Sequence, residues 1–113
     1  MFKRNNRLAK TKDVEQVIKR GQSFFSPHFV IKFLRQPSGV RFTVVISTKV
    51  SKSAVKRNRI KRVLRDQMRT RVGNFKSGDY AIIVKPIAAK AEAKSLGPQL
   101  TQLLHTLKLL SND

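Results

Sequence analysis

The sequence contains no cysteine and no tryptophan, and only six acidic residues among 113. Without cysteine there is no disulfide framework, no thiolate metal site and no cysteine nucleophile, a composition compatible with a reducing compartment. The only two histidines, His28 and His105, fall in different elements; His105 projects away from the leucine stripe of its helix and reads as solvated. The acids do not form a catalytic pair: Asp13 and Glu15 suit a helix N-terminus, Asp66 can pair along its own helix, and Asp79 suits a turn. The five glycines form no phosphate-cradling loop. No apolar run approaches a membrane span, and the opening "MFKRNNRLAK" has no apolar stretch behind it, unlike a secretory signal. These absences leave a soluble, cytoplasmic protein with no catalytic residues, no metal ligands and no membrane partner as the expectation.

What is abundant is positive charge. Lys and Arg number 25, for a net charge of +19. A compact domain so charged repels itself unless a polyanion is near. Nucleic acid is the first expectation, because each neutralised phosphate releases counterions; an anionic membrane surface is second. A hydrophobic content of 40% supports one core, so residues 1–113 read as a single domain, with 1–10 a basic, mobile arm carrying Lys3, Arg4 and Arg7.

Residues 11–20 predict a short helix, with Thr11 as N-cap, Val14, Val17 and Ile18 as its stripe, and Gly21 at its end. "SFFSPHFVIKFLRQ", interrupted at Pro27, and "RFTVVISTK" read as two strands joined by the turn "PSGV" into a hairpin. "YAIIVKP" is a third strand. Gly97-Pro98 divides the C-terminal region, with Pro98 opening a final helix on the stripe Leu100, Leu103, Leu104, Leu107 and Leu110. The order is helix, hairpin, basic helix, strand, helix: an α+β fold, a compact two-layer αβ sandwich.

The basic helix is the unusual element. Ser51 to Arg71 sets nine Lys or Arg against Asp66 alone. Ile60, Val63, Leu64, Gln67 and Met68 recur at helical spacing, and at 100° per residue Asn58, Arg62, Arg65 and Arg69 lie opposite. A merely solvated face alternates signs or pairs acids with bases at i, i+4. This one offers guanidinium forks suited to phosphate, so nucleic-acid contact is the stronger reading. Most aromatics lie in strands, where core packing explains them; one or two on an exposed sheet face could stack on unpaired bases.

The run "SAVKRNRIKRVLRD" closely resembles the signature of the bacterial ribonuclease P protein subunit. Ala54, Arg57, Asn58, Arg59, Ile60, Lys61, Arg62 and Arg65 match that pattern in order. "NRLAKTKDVEQVIKRG", "FTVVISTKVSKSA" (with Lys49 kept) and "GDYAIIVKP" extend the resemblance over most of the chain. It implies an αβ sandwich with a left-handed βαβ crossover through the basic helix. It further implies a protein that docks on the catalytic RNA of ribonuclease P and holds the 5′ leader of precursor tRNA. Hydrolysis would then occur on the RNA, with Mg2+ bound mainly by that RNA. No obligate protein partner is implied.

Carried over, the contacts to the RNA subunit would be Arg57, Asn58, Arg59, Lys61, Arg62, Arg65 and Arg69, with Lys49 and Lys52. The leader cleft, between the first helix and the sheet, would be lined by Val14, Ile18, Phe29 and Lys32. The pattern departs here, since family members often place aromatics where this chain has Val14 and Ile18, and near Lys32. Three other readings compete: a ribosomal or other structural RNA-binding protein, a membrane-active cationic protein, and a nuclease using its own side chains. The ordered signature, the use of the apolar stripes for a core, and the missing catalytic constellation tell against them in turn.

Overall fold

The alternation in "FVIKFLR" governs how the sheet is covered. In the structure, a computed structural model describing residues 6–111, this run forms β2 (Phe29–Arg35). Phe29, Ile31 and Phe33 are buried on one side, while Val30, Lys32 and Leu34 occupy the other. The remaining elements are α1 (Thr11–Arg20), β1 (Gln22–Phe25), β3 (Val40–Val45), α2 (Ala54–Arg69), β4 (Gly78–Val84) and α3 (Ala93–Thr106). The sheet order is β1-β2-β4-β3.

That order corrects the expected hairpin. The Pro37-Ser38-Gly39 turn does join β2 to β3, with Gly39 at a left-handed φ of 84°. Yet β4 inserts between them, antiparallel to β2 (Ile31 opposite Ile82) and parallel to β3 (Val44 opposite Ile82). The physical reason is composition. In β4, Tyr80, Ile82 and Val84 are buried on one face and Ala81 on the other, so the strand is stable only in the interior of the sheet. A hairpin does exist, between β1 and β2 around Pro27. The parallel β3-α2-β4 unit supplies the βαβ connection through the basic helix.

Helices α2 and α3 pack on the face bearing Phe29, Ile31, Phe33, Phe42, Val44, Tyr80 and Ile82. Ile60, Leu64 and Met68 come from α2, and Leu96, Leu100 and Leu104 from α3. Most of the aromatic supply goes into this core: the rings of Phe33, Phe42 and Phe75 surround Tyr80 at centroid distances of 4.8 to 5.3 Å. The buried Tyr80 hydroxyl donates to the Lys76 carbonyl at 2.6 Å, and burial pushes its pKa up, keeping it a donor.

Helix α3 differs from expectation by running straight through Gly97-Pro98. Pro98 withholds one N–H from the carbonyl of Lys94, but both residues are exposed, so water can satisfy that group. Gly97 is buried where α3 meets α2; a Cβ there would lie 2.7 Å from Gln67 Cγ. His105 is also less solvated than expected, with Nδ1 3.0 Å from the Leu110 carbonyl.

Helix α1 covers part of the opposite face, where Val17, Leu8 and Ala81 are buried with Val14 and Leu34 against them. Lys10 rather than Thr11 occupies its N-cap, without a side-chain bond. An ion-pair cluster ties α1 to the sheet. Arg41 on β3 donates to Asp79 at 2.8 and 2.7 Å and to Asp13 on α1 at 3.2 Å. Asp79, expected in a turn, is instead a β4 residue only 2% exposed, and Gln36 donates to it at 3.1 Å. Hydrogen bonding to Asp79 holds the Arg41 pKa above its ordinary value. Arg41→Ala leaves that carboxylate with Gln36 alone and is expected to destabilise the protein by about 3 kcal/mol. Urea denaturation checks this; a midpoint equal to wild type would mean the cluster is not structural.

Candidate RNA interface

Ser53 starts α2, accepting the N–H of Lys56 on its Oγ at 3.2 Å. From there the helical period fixes the faces. Ile60, Leu64 and Met68 are buried, Val63 and Gln67 half-buried, and Asn58, Arg62, Arg65 and Arg69 exposed on the far side. The row from Asn58 to Arg69 is roughly 16 Å long at the helical rise, a span suited to several successive phosphates.

The cations of this region are not equivalent. Arg69 pairs with Asp66 at 3.6 Å, and Arg57, half-buried at the flank of the core face, donates to the Ser51 carbonyl at 2.8 Å. Arg57 thus braces the turn entering α2 as well as offering its remaining N–H groups. Among the described residues, Arg59, Lys61, Arg62 and Arg65 make no hydrogen bond or ion pair. Their donors face water. Lys49 and Lys52 are exposed on the segment leading into the helix. Lys56 and Arg71, which also belong to the basic run, donate instead to the carbonyls of Ala89 and Gln67.

The N-terminal segment joins this surface. Lys3 and Arg4 lie outside the described residues. Arg7 does not float: Arg7 bridges to Phe42 in parallel pairing, the Leu8 N–H donates to the Phe42 carbonyl at 2.8 Å, and Asn6 Nδ2 donates to Val40. Residues 6–8 therefore extend the sheet past β3, a role that their composition did not signal. A cavity of about 580 Å³ opens between this segment, α1, β3 and α2, with Arg7 and Arg65 both on its lining beside Leu8, Val14 and Thr43. Arg7 and Arg65, distant in sequence, thus line one cavity.

The cleft residues divide. Val14 is half-buried and Ile18 is 39% exposed on α1; Lys32 is half-buried on the sheet face that α1 partly covers, with Nζ donating to Ser23 Oγ. Phe29 is a correction. It is 1% exposed and belongs to the core beneath α3, on the other side of the sheet. Strand parity explains the error, because residues 29 and 32 are an odd number apart and point to opposite faces. On the cleft side, the register sets Phe25 opposite Val30 and Ser23 opposite Lys32. Phe25 lies on this same side and is exposed, a residue that the motif does not mark.

Comparison with known proteins bears on the family and the fold. A family model described as Ribonuclease P matches residues 2–108. The ribonuclease P protein component of Pseudanabaena sp. is 33% identical over 116 residues, covering all of both chains. That of Bacillus velezensis is 32% identical over 110 residues, spanning 96% of this chain and 94% of the relative. The solved RNase P protein of Staphylococcus aureus superposes with a TM-score of 0.86 at 23% identity, over 94% of this chain and 98% of that one, a likeness of fold. With the family model spanning nearly the whole sequence, the chain belongs to the Ribonuclease P family.

Proposed function

We propose that this chain is the protein subunit of a ribonuclease P holoenzyme, acting in the cytoplasm as a single RNA-binding domain. It docks on the catalytic RNA through α2, with Arg57, Asn58, Arg59, Lys61, Arg62, Arg65 and Arg69 facing that RNA and Lys49 and Lys52 at the margin. The observation that carries the reading is the row of exposed basic side chains, with Arg59, Arg62 and Arg65 unpaired among the described residues, on a helix whose other side is used by the core. Such forks grip phosphate oxygens through two bonds and lower the repulsion between two polyanions.

The 5′ leader of precursor tRNA lies in the cleft beside α1, along Val14, Ile18 and Lys32, with Arg7 at its entrance. Hydrolysis that frees the mature tRNA 5′ end takes place on the RNA. Magnesium is held mainly by that RNA; among the described residues no three His, Cys, Asp or Glu gather into a group that could hold a metal ion. The protein's own part is to bind, orient and neutralise.

The experiment compares holoenzyme affinity for precursor tRNA and for mature tRNA, with the RNA subunit alone as control. The protein is expected to strengthen precursor binding selectively. Equal strengthening of both substrates would remove the leader from the account.

A further inference from the structure

We infer that Phe25 is the base-stacking platform for single-stranded RNA on this chain, an inference that rests on the leader-cleft reading above. Among the described residues its exposure is out of keeping with the other phenyl and phenol rings. Phe24, Phe29, Phe33, Phe42, Phe75 and Tyr80 are buried or half-buried, whereas Phe25 is 73% exposed. A bare phenyl ring on a protein of charge +19 gains nothing from water, and its neighbours define what it can meet.

The register places Phe25 directly opposite Val30, which is itself opposite Ile83, which pairs with Val45. These four residues make a row across all four strands on the face carrying Lys32. The buried packing of α1 reaches Ala81 and Leu34 and stops short of that row, whose members remain half-buried or exposed. The surface is thus an open apolar strip beside a lysine. A flat apolar ring with a cation on the same face suits unpaired bases joined by phosphates. It suits an apolar protein surface less well, because the strip is one residue deep and the next row on the same face, Ser23, Lys32, Ala81 and Thr43, is mostly small or polar and carries a lysine.

The backbone beneath Phe25 is held. In the turn after it, the N–H of Ser26 donates to the Phe29 carbonyl at 2.9 Å, the Phe29 N–H donates to Ser26 Oγ at 3.1 Å, and Lys85 Nζ donates to the Ser26 carbonyl at 3.1 Å. A ring on a fixed strand end loses little freedom when a base stacks on it. Where α1 offers aliphatic Val14 and Ile18, and β2 offers Lys32, the aromatic stands one strand over, on β1.

The test uses reconstituted holoenzyme with precursor tRNA bearing a single-stranded leader, and mature tRNA for comparison. Phe25→Ala is expected to reduce the preference for precursor about 5- to 100-fold. Mature tRNA affinity and the melting temperature of the protein should be unchanged, and Phe25→Trp should retain the preference. Two outcomes would overturn the inference: a wild-type preference in Phe25→Ala, or a wild-type preference in Phe25→Leu, which keeps apolar contact without a stacking face. Loss of a self-associated species in Phe25→Ala, seen by sedimentation with the preference intact, would assign the strip to a second copy instead. If wild-type holoenzyme shows no preference at all, the leader reading itself fails, and the inference falls with it.

Discussion

Ile60→Asp is expected to unfold the protein. Ile60 is fully buried at the centre of the packing between α2 and the sheet, in one cluster with Leu64, Phe42, Tyr80 and Leu100. The substitution removes a branched aliphatic side chain and asks an ionised carboxylate to take its place without a partner. Each change alone costs several kcal/mol, and together they reach the order of the 5–15 kcal/mol that holds a domain of this kind folded. Circular dichroism should show no cooperative melting. Arg62→Asp, two residues further along, is the matched control. It introduces the same charge 200° around the helix, on the exposed side, and should melt near wild type. If both variants melt alike, α2 is not oriented as described.

The second large effect concerns binding. Arg62→Glu combined with Arg65→Glu is expected to weaken affinity for ribonuclease P RNA roughly 10- to 100-fold at physiological salt. The slope of log affinity against log salt should fall by about two, one for each phosphate that is no longer neutralised. Neither arginine has a partner within the described structure, so nothing internal is broken. The net charge drops from +19 to +15, two residues each changing by two, which eases self-repulsion. The melting temperature should therefore hold or rise slightly. Full affinity with an unaltered slope would move the RNA to another surface. The pair avoids Arg57, since its bond to the Ser51 carbonyl would mix a loss of fold with a loss of binding.

Helix α2 and both its faces were legible in the sequence, because helical periodicity is local and the apolar and basic residues of this segment separate cleanly. Strands β2, β3 and β4 were legible too, since alternation needs only near neighbours, while β1 was read as one interrupted strand with β2. Strand pairing was harder to read. The short turn between β2 and β3 resembles a hairpin connection, and the preference for β4 in the middle arises from its burial on both faces, visible only once competing strands are compared. The passage of α3 through Gly97-Pro98 was not legible because it rests on the exposure of Lys94 and Pro98, where water can take the carbonyl that Pro98 leaves unpaired, and a breaker rule does not weigh exposure. Phe29 was misplaced because a motif carried it over while its parity with Lys32 argued against it. The same parity, followed across the β1–β2 turn, leads to Phe25. Asp79 looked like a turn residue because its partner Arg41 lies on a strand that pairs with it only in the folded sheet.

The central claim is that one side of α2 serves the core and the other serves a structured RNA that performs the chemistry. The most direct measurement is cleavage of precursor tRNA by a bacterial ribonuclease P RNA at low magnesium, with and without this protein. Protein-dependent cleavage at the mature 5′ end is predicted under conditions where the RNA alone is inactive, with no cleavage when the RNA is omitted. Tight RNA binding with no stimulation of a matched RNA subunit, or cleavage by the protein alone, would contradict it.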